Sequence, residues 1–311
     1  MKINKKSKIF IAGHNGMVGS SLCRKFNENG FKNILTVEKK KVNLLDQKAV
    51  FKFLKKNKPD LVIIAAARAG GIYANSNYKA KFIYENLEIQ NNLIHGSYLA
   101  GIKKLFFLGS SCIYPKYAKQ PIKENYLLTS SLEPTNDAYA LAKISGLMMC
   151  KYYSENYKVE FKSLMPCNLY GPGDNYHDKD SHFFPALIKK ILSAKKKGSR
   201  VIKIWGSGKP KRELLYVDDL SSAVLFLINK KIKEPFINIG SGKDQTINWY
   251  ANFIINYFQL NLKIKFDRSK PDGVSRKLLD ISIIKKMGWK AQTTLKNGLS
   301  MVVKDFLKNN T

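Results

Sequence analysis

The chain has 311 residues, 44% hydrophobic and 12% aromatic, with 54 Lys and Arg against 23 Asp and Glu, a formal net charge of +31. This excludes a disordered chain and leaves room for one or two buried cores, while no apolar run approaches the roughly 18 residues of a membrane span. A basic N-terminus with only residues 9–12 apolar before glycine makes a secretory signal unexpected, and four scattered cysteines (Cys23, Cys112, Cys150, Cys167) without a C-x-x-C pair speak against a disulfide framework or structural zinc and for a soluble protein of the reducing cytoplasm.

Along the chain, residues 8–12 form a short apolar run ending at glycine, the pattern of a buried parallel strand. Apolar residues at helical spacing follow over 16–29, closed by Gly30. Residues 34–37 read as a second strand. Asp46 is an N-cap ahead of Ala49, Val50, Phe53 and Leu54, and 60–65 is a third strand. A long helix over 78–100 precedes a fourth strand at 104–108. A helix over 137–156 leads to a fifth at 160–165. The alternation predicts an α/β fold, a Rossmann-like doubly wound parallel sheet.

After Gly171-Pro172-Gly173 the rhythm changes. A loop and helix fill 171–200, strands are expected at 201–205 and 212–217, a helix at 218–228 behind Asp218-Asp219, and a strand at 235–239. A helix over 248–258, a strand near 264–267 and helices near 281–287 and 295–307 complete the chain. This divides it into a dinucleotide-binding domain over 1–170, with part of 212–240 returning to it, and a smaller α/β substrate lobe over 171–311. No internal repeat or low-complexity linker is present.

The charge raises the question of nucleic acid, since basic surfaces gain affinity for phosphate by counterion release. Only six of the 54 cations are arginine, however, and the lysines are spread along the whole chain. That pattern describes solvated faces, so a nucleic-acid partner is not expected. The field can still draw in a small polyanionic substrate.

Gly13-His14-Asn15-Gly16-Met17-Val18-Gly19 joins the first strand to the first helix. Glycine serves a tight turn, close backbone approach to a pyrophosphate and close helix–sheet packing, while the helix N-terminus offers N–H groups to the phosphates. Dinucleotide binding is therefore expected from Gly13, Asn15, Gly16, Met17, Val18 and Gly19. At the end of the second strand, Glu38 suits a ribose 2′-hydroxyl, whereas Lys39-Lys40-Lys41 suit a 2′-phosphate. Three cations against one acid favour NADP(H), with Lys39 as the contact.

Tyr139 and Lys143 lie four residues apart, on one face of a helix. A nearby cation favours phenolate and is expected to lower the tyrosine toward working pH, as suits a proton donor to a carbonyl oxygen. Upstream, the fourth strand ends in Gly109-Ser110-Ser111-Cys112-Ile113-Tyr114-Pro115. A serine there stands at the sheet edge where ligands bind in such folds.

Glycine loop, strand-end serine and Tyr-x-x-x-Lys together resemble the extended short-chain dehydrogenase/reductase family. They are most similar to its branch of GDP-4-keto-6-deoxymannose 3,5-epimerase/4-reductases, whose product is GDP-L-fucose. Residues 11–19, 108–115, 133–136, 168–172, 205–208, 212–219 and 269–273 carry the likeness, and Cys112 after the double serine is specific within the superfamily.

The resemblance implies Cys112 as base and His182 as acid at C3 and C5. It implies Ser110 and Tyr139 on the C4 oxygen, and Lys143 on the cofactor ribose. Read from the residue alone, Cys112 is either such a base or a small buried side chain. The likeness adds Ala66, Lys143, Asn168 and His182 to the cofactor contacts. It sets Asn168, Lys190 and Asp272 on the GDP-sugar, with Arg212, Arg276 and Lys270 facing its diphosphate. Trp205 either stacks on sugar or base or fills a core. Helices 78–100 and 137–156 resemble the family's dimerising pair, so a homodimer is expected.

No metal is expected, because the chemistry needs none and the histidine and carboxylate spacing in 177–182 fits no zinc pattern. His14 and His95 are read as packing residues. Asn15 stands where the family commonly carries an arginine for the 2′-phosphate, which loads that task on Lys39 and its neighbours. The alternatives are a C4-reductase on another GDP-4-keto sugar such as a heptose and, more remotely, a non-catalytic dinucleotide-sensing or nucleic-acid-binding protein. A 4,6-dehydratase is disfavoured, since that subgroup has an acidic pair where Cys112-Ile113 stand.

Overall fold

The computed structural model describes residues 2–178 and 180–310; Lys179, in the segment considered for a metal, lies outside them. The chain runs through β1 (Ile9–Ala12), α1 (Met17–Glu28), β2 (Ile34–Leu35), α2 (Gln47–Asn57) and β3 (Leu61–Ile64). Then follow α3 (Ile72–Asn77), α4 (Lys79–Leu99), β4 (Lys104–Leu108), α5 (Asp137–Tyr157) and β5 (Glu160–Pro166). These strands and a later one, β9 (Phe236–Ile239), form a six-stranded parallel sheet in the order β2-β1-β3-β4-β5-β9.

β1, β3 and β4 are buried at every position. Both faces of the sheet are covered by helices, so these strands read as continuous apolar runs. Ile9 and Ile11 enter a core shared with Leu22 and Phe26 of α1, whereas Phe10 and Ala12 enter the opposite core with Val50, Leu54, Leu93 and Ile94 of α2 and α4. Asp46 caps α2 by accepting from the Ala49 N–H at 3.0 Å, as its position predicts.

The second half contains β6 (Asn168–Tyr170), α6 (Phe183–Lys196), β7 (Val201–Trp205), β8 (Lys211–Tyr216), α7 (Val217–Leu227) and β9 (Phe236–Ile239). It ends with β10 (Asp244–Thr246), α8 (Ile247–Tyr257), β11 (Lys263–Asp267), β12 (Arg276–Lys277), α9 (Ser282–Lys286) and α10 (Leu295–Asn310). β10, β8 and β12 form one small sheet, with β6 also paired to β8, and β7 pairs β11. A separate core gathers Phe184, Ile188, Ile191, Ile202, Ile204, Tyr250, Ile254 and Val302. α7 and β9 join the large sheet's core, and so do Leu279, Ile281, Ile284 and Trp289 from the C-terminal segment.

Four elements have no counterpart in the sequence reading: α3, β6, β10 and β12. Each is short, and the three strands are specified by pairing with β8 rather than by a pattern of their own. β2 is shorter than predicted, ending at Leu35 before Val37 and Glu38. It is an edge strand with β1 as its neighbour, so fewer contacts hold it.

Candidate active site

The C-terminal ends of β1, β3, β4 and β5 lie along one edge of the sheet; the loops leaving the first three hold the glycine run, Ala66 and Ser110–Cys112, and Asn168 opens β6 just after β5. In the glycine run the three positions differ physically. Gly13 has φ +88°, and a Cβ there would stand 2.7 Å from Ala66 Cα. A Cβ on Gly19 would stand 2.1 Å from the Gly13 carbonyl oxygen. Both glycines are therefore required by the protein's own packing, Gly13 against the end of β3 and Gly19 against the loop.

Gly16 is different. Its φ is −79°, and a Cβ there would meet only the Gly13 oxygen, at 3.6 Å, an ordinary contact. Nothing among the described residues demands glycine at this position, which leaves its bare backbone open to a group from outside. No side chain among the described residues caps α1 at this end, and no acid lies in its first turn. Open backbone and an uncapped helix start fit a dinucleotide's diphosphate.

Beside the loop, the Glu38 carboxylate lies 3.1 Å from His14 Nε2 and accepts from Asn15 Nδ2 at 3.0 Å, and these hydrogen bonds hold it below its ordinary value. The acid is engaged by the glycine loop. Lys39, Lys40 and Lys41 are exposed beyond it.

At the end of β4 the chain turns through a short 3₁₀ segment, Ser111–Ile113, with the Ser110 hydroxyl accepting from the Cys112 N–H at 3.2 Å. The turn directs Cys112 toward the start of α5. There Asn136 Nδ2 donates to Cys112 Sγ at 3.4 Å. From the other side Lys277 Nζ donates to the same sulfur at 3.5 Å. Tyr139, in the first turn of α5, is half-buried. Desolvation chiefly, and the neighbouring Cys112 secondarily, push its hydroxyl up, against a hydrogen bond with Ser110.

That direction corrects the sequence expectation. Lys143 is fully inside the protein, its Nζ donating to the Leu108 carbonyl at 2.9 Å and lying 5.8 Å from the Tyr139 ring centre. Burial lowers Lys143 to about 7. A cation that is itself disfavoured and bonded elsewhere does little to draw out the phenol proton. Tyr139 is held protonated, which is the form a proton donor needs.

His182 precedes α6 as its N-cap residue, with its side chain exposed. Desolvation and the Lys277 charge lower its imidazole. Arg212 on β8 is buried, with Nη1 donating to the Lys211 carbonyl at 2.9 Å and Nη2 to that of Asp272 at 3.2 Å. Asn168 Nδ2 is buried without a hydrogen-bond partner among the described residues.

The remaining predicted substrate residues divide in two. Trp205 is 42% exposed, which removes the core alternative, and Lys190 and Lys270 stand over its ring at 5.7 and 5.5 Å. Arg276, by contrast, is committed to Asp244 through two hydrogen bonds of 2.6 and 3.1 Å. Asp272 accepts from both the N–H and the hydroxyl of Ser207 at 2.7 Å, clamping the Gly206–Gly208 turn. In this structure both are engaged in the protein's own contacts.

The sequence profile of the NAD dependent epimerase/dehydratase family matches residues 9–240. The chain belongs to this family. Within it, GDP-L-fucose synthase 1 of Arabidopsis thaliana is 46% identical over 98% of this chain and 95% of its own. A GDP-6-OMe-4-keto-L-xylo-heptose reductase from C. jejuni has the same fold with a TM-score of 0.92 at 33% identity, covering 100% of both chains. A GDP-L-fucose synthetase from Naegleria fowleri bound to NADP gives 0.90 at 28% identity, over 99% of this chain and 95% of that one.

Within this epimerase-family site, sequence reasoning missed Lys277 and gave no role to Asn136. Asn136 was visible inside the 133–136 stretch. Lys277 carried no signal, being 165 residues from the sulfur it touches.

Proposed function

We propose that the protein is an NADP(H)-dependent epimerase and reductase that converts GDP-4-keto-6-deoxymannose to GDP-L-fucose. The reading is carried by the gathering of Ser110, Cys112, Tyr139 and Lys143 at the end of β4, in a chain 46% identical to a GDP-L-fucose synthase.

A ketone at C4 acidifies the protons on C3 and C5. Cys112 takes such a proton, the electron pair of the broken C–H bond moves onto the C4 oxygen, and Ser110 and Tyr139 hydrogen-bond that oxygen as its charge develops. His182 returns a proton to the opposite face. NADPH, when bound, supplies the hydride for C4. Tyr139 gives its proton to the C4 oxygen, and Lys143 would hold the cofactor ribose with the donors that its bond to the Leu108 carbonyl leaves over. Gly13, Asn15, Gly16, Met17, Val18 and Gly19 would take the diphosphate, with Ala66 beside them, and Lys39 would pair with the 2′-phosphate.

On the substrate side, Arg212, Lys190 and Lys270 face the GDP moiety, with Trp205 as a stacking surface; Asn168, whose amide has no partner among the described residues, completes the set. Arg276 and Asp272 act by holding these groups in place. The division of labour is a dinucleotide-binding domain, built on the large sheet, and a smaller substrate lobe around β7, β8 and α8.

The pair α4 and α5 is apolar on its outer side as well as its inner one. Tyr84, Leu99, Leu141, Tyr152 and Tyr157 are exposed there, a surface suited to pairing with a second copy as a homodimer. No helix among the described residues is long and apolar enough to cross a membrane. Four unpaired cysteines suit the cytoplasm.

The test is incubation with GDP-4-keto-6-deoxymannose and NADPH in D₂O, with product stereochemistry read by NMR. Deuterium at C3 and C5 with an inverted, reduced product is expected. Reduction without deuterium would leave a simple C4-reductase. Because the C. jejuni heptose reductase aligns end to end, a GDP-4-keto-heptose belongs in the same experiment, and faster turnover of it would reassign the substrate. Tyr139→Phe should retain NADPH binding and lose on the order of 10²–10⁴-fold in reduction; unchanged turnover would falsify its role as proton donor.

A further inference from the structure

Lys277 is an uncommon kind of buried lysine. The residue is only 9% exposed, and the hydrogen bond its ammonium makes goes to a thiol, at 3.5 Å, not to a carboxylate. A buried cation costs free energy unless an anion compensates it. The sulfur it touches also receives the Asn136 amide, so two donors converge on one sulfur. A thiol is a weak acceptor and a thiolate a strong one, so this donor set matches the anion. Asn136 is the N-cap residue of α5 but does not cap it. Its side chain is given to the sulfur instead.

The placement of Lys277 is fixed on both sides. β12 pairs in parallel with β8, setting Lys277 beside Arg212. The Gln120 side chain brackets it, with Nε2 donating to the Arg276 carbonyl at 3.1 Å and Oε1 accepting from the Leu278 N–H at 2.9 Å. Ile122 then hydrogen-bonds the Leu278 carbonyl at 2.7 Å. A backbone held this way delivers the ammonium to one place, as a preorganised electrostatic device requires.

We propose that Lys277 is a positioning residue for epimerisation: its ammonium, aided by the Asn136 amide, holds Cys112 as the thiolate that removes the substrate's α-protons. This rests on the reading of Cys112 as the base. In the step, the S–H bond forms as the C–H bond breaks, and the released electron pair goes to the C4 oxygen. The charged and titratable groups facing the sulfur are Lys277 from β12, Arg212 from β8 and Tyr139 from α5, with His182 facing Lys277 and with Glu133 and Asp272 beyond Arg212. The two full charges that act on the sulfur, Lys277 by hydrogen bond and Arg212 through space, are both cationic. The Lys277 charge also lowers the His182 imidazole, which makes it the stronger proton donor once it is protonated.

The test follows Cys112 alkylation by iodoacetamide against pH, with Cys112→Ser subtracting the other cysteines, alongside solvent deuterium entry at C3 and C5. An opposite charge within 4–6 Å moves a titration by about 1–3 units, so Lys277→Met should raise the alkylation midpoint by that amount. The acid limb of deuterium exchange should move with it. At neutral pH both rates should fall by about tenfold or more. Lys277→Arg should restore both profiles. If the Met variant does not fold, Lys277→Gln removes the charge and keeps a polar side chain. An alkylation midpoint unchanged in the charge-free variant overturns the proposal. Exchange persisting in Cys112→Ser removes Cys112 as the base, and with it the catalytic purpose assigned to Lys277, while the alkylation profile separately reports whether the cation holds the thiolate.

Discussion

The three glycines of the first loop show how one residue type can serve two masters. Gly13 and Gly19 answer to the protein, since a methyl group on either would strike backbone at 2.7 and 2.1 Å. Gly16 answers to the ligand. Gly16→Ala should therefore leave stability within about 1 kcal/mol of the parent yet weaken NADPH binding tenfold or more, measured by fluorescence titration and thermal melts together. Gly19→Ala should cost several times as much stability, because backbone cannot move aside as a side chain can. Equal melting points for the two variants would refute this division. Tyr139 carries a related lesson. The four-residue spacing to Lys143 was legible, and the spacing alone suggested a lowered phenol. Burial of the pair reverses the direction, because desolvation acts on both groups and the Lys143 ammonium is bonded to the Leu108 carbonyl.

Among the elements, β8 carries one side chain, Glu213, that joins the β9–β10 turn to the segment after β12. Glu213 is fully buried, accepting from the Gly242 N–H at 2.6 Å and the Leu279 N–H at 2.9 Å. Burial raises its carboxyl to about 7 from 4.5 despite these hydrogen bonds. The sign follows from proton linkage: between those values the folded protein binds the proton more tightly than the unfolded chain. The associated stability is therefore complete below about 4.5 and is lost as pH rises through about 7, to the extent of roughly 3 kcal/mol. Glu213→Gln should flatten this slope, seen by urea unfolding at pH 5 and pH 7.5. The same slope in both proteins would place the titration elsewhere. Nothing in the sequence marked Glu213 within 212–219, since its partners lie in the β9–β10 turn and after β12.

For the whole molecule, the outward faces of α4 and α5 set the expectation. Apolar side chains on both sides of a helix pair belong to a buried or partnered pair. Leu141 and Tyr84 are 46% and 61% exposed in the single chain. Leu141→Glu with Tyr84→Glu should convert a dimer to a monomer in sedimentation equilibrium, at little cost to the fold. A monomeric parent protein would end this reading. The +31 charge acts at the same scale. Exposed lysines farther apart than the Debye length, about 8 Å at physiological ionic strength, are screened from one another. The charge therefore favours the approach of anionic ligands more than it stabilises any one contact.

Local patterns determined a good deal of this protein: the alternation of buried strands and helices, the glycine loop, the Asp46 cap and the Tyr139–Lys143 pair. Each depends on residues close in the chain, where periodicity and turn chemistry act directly. The tertiary structure alone decided that β6, β10 and β12 exist, because β8 supplies their hydrogen bonds. It alone turned Trp205 outward and committed Arg276 to Asp244. It alone brought Lys277 across 165 residues to the sulfur of Cys112. Those outcomes are set by pairing and burial between distant segments, and a burial term can outweigh, or reverse, what spacing suggests.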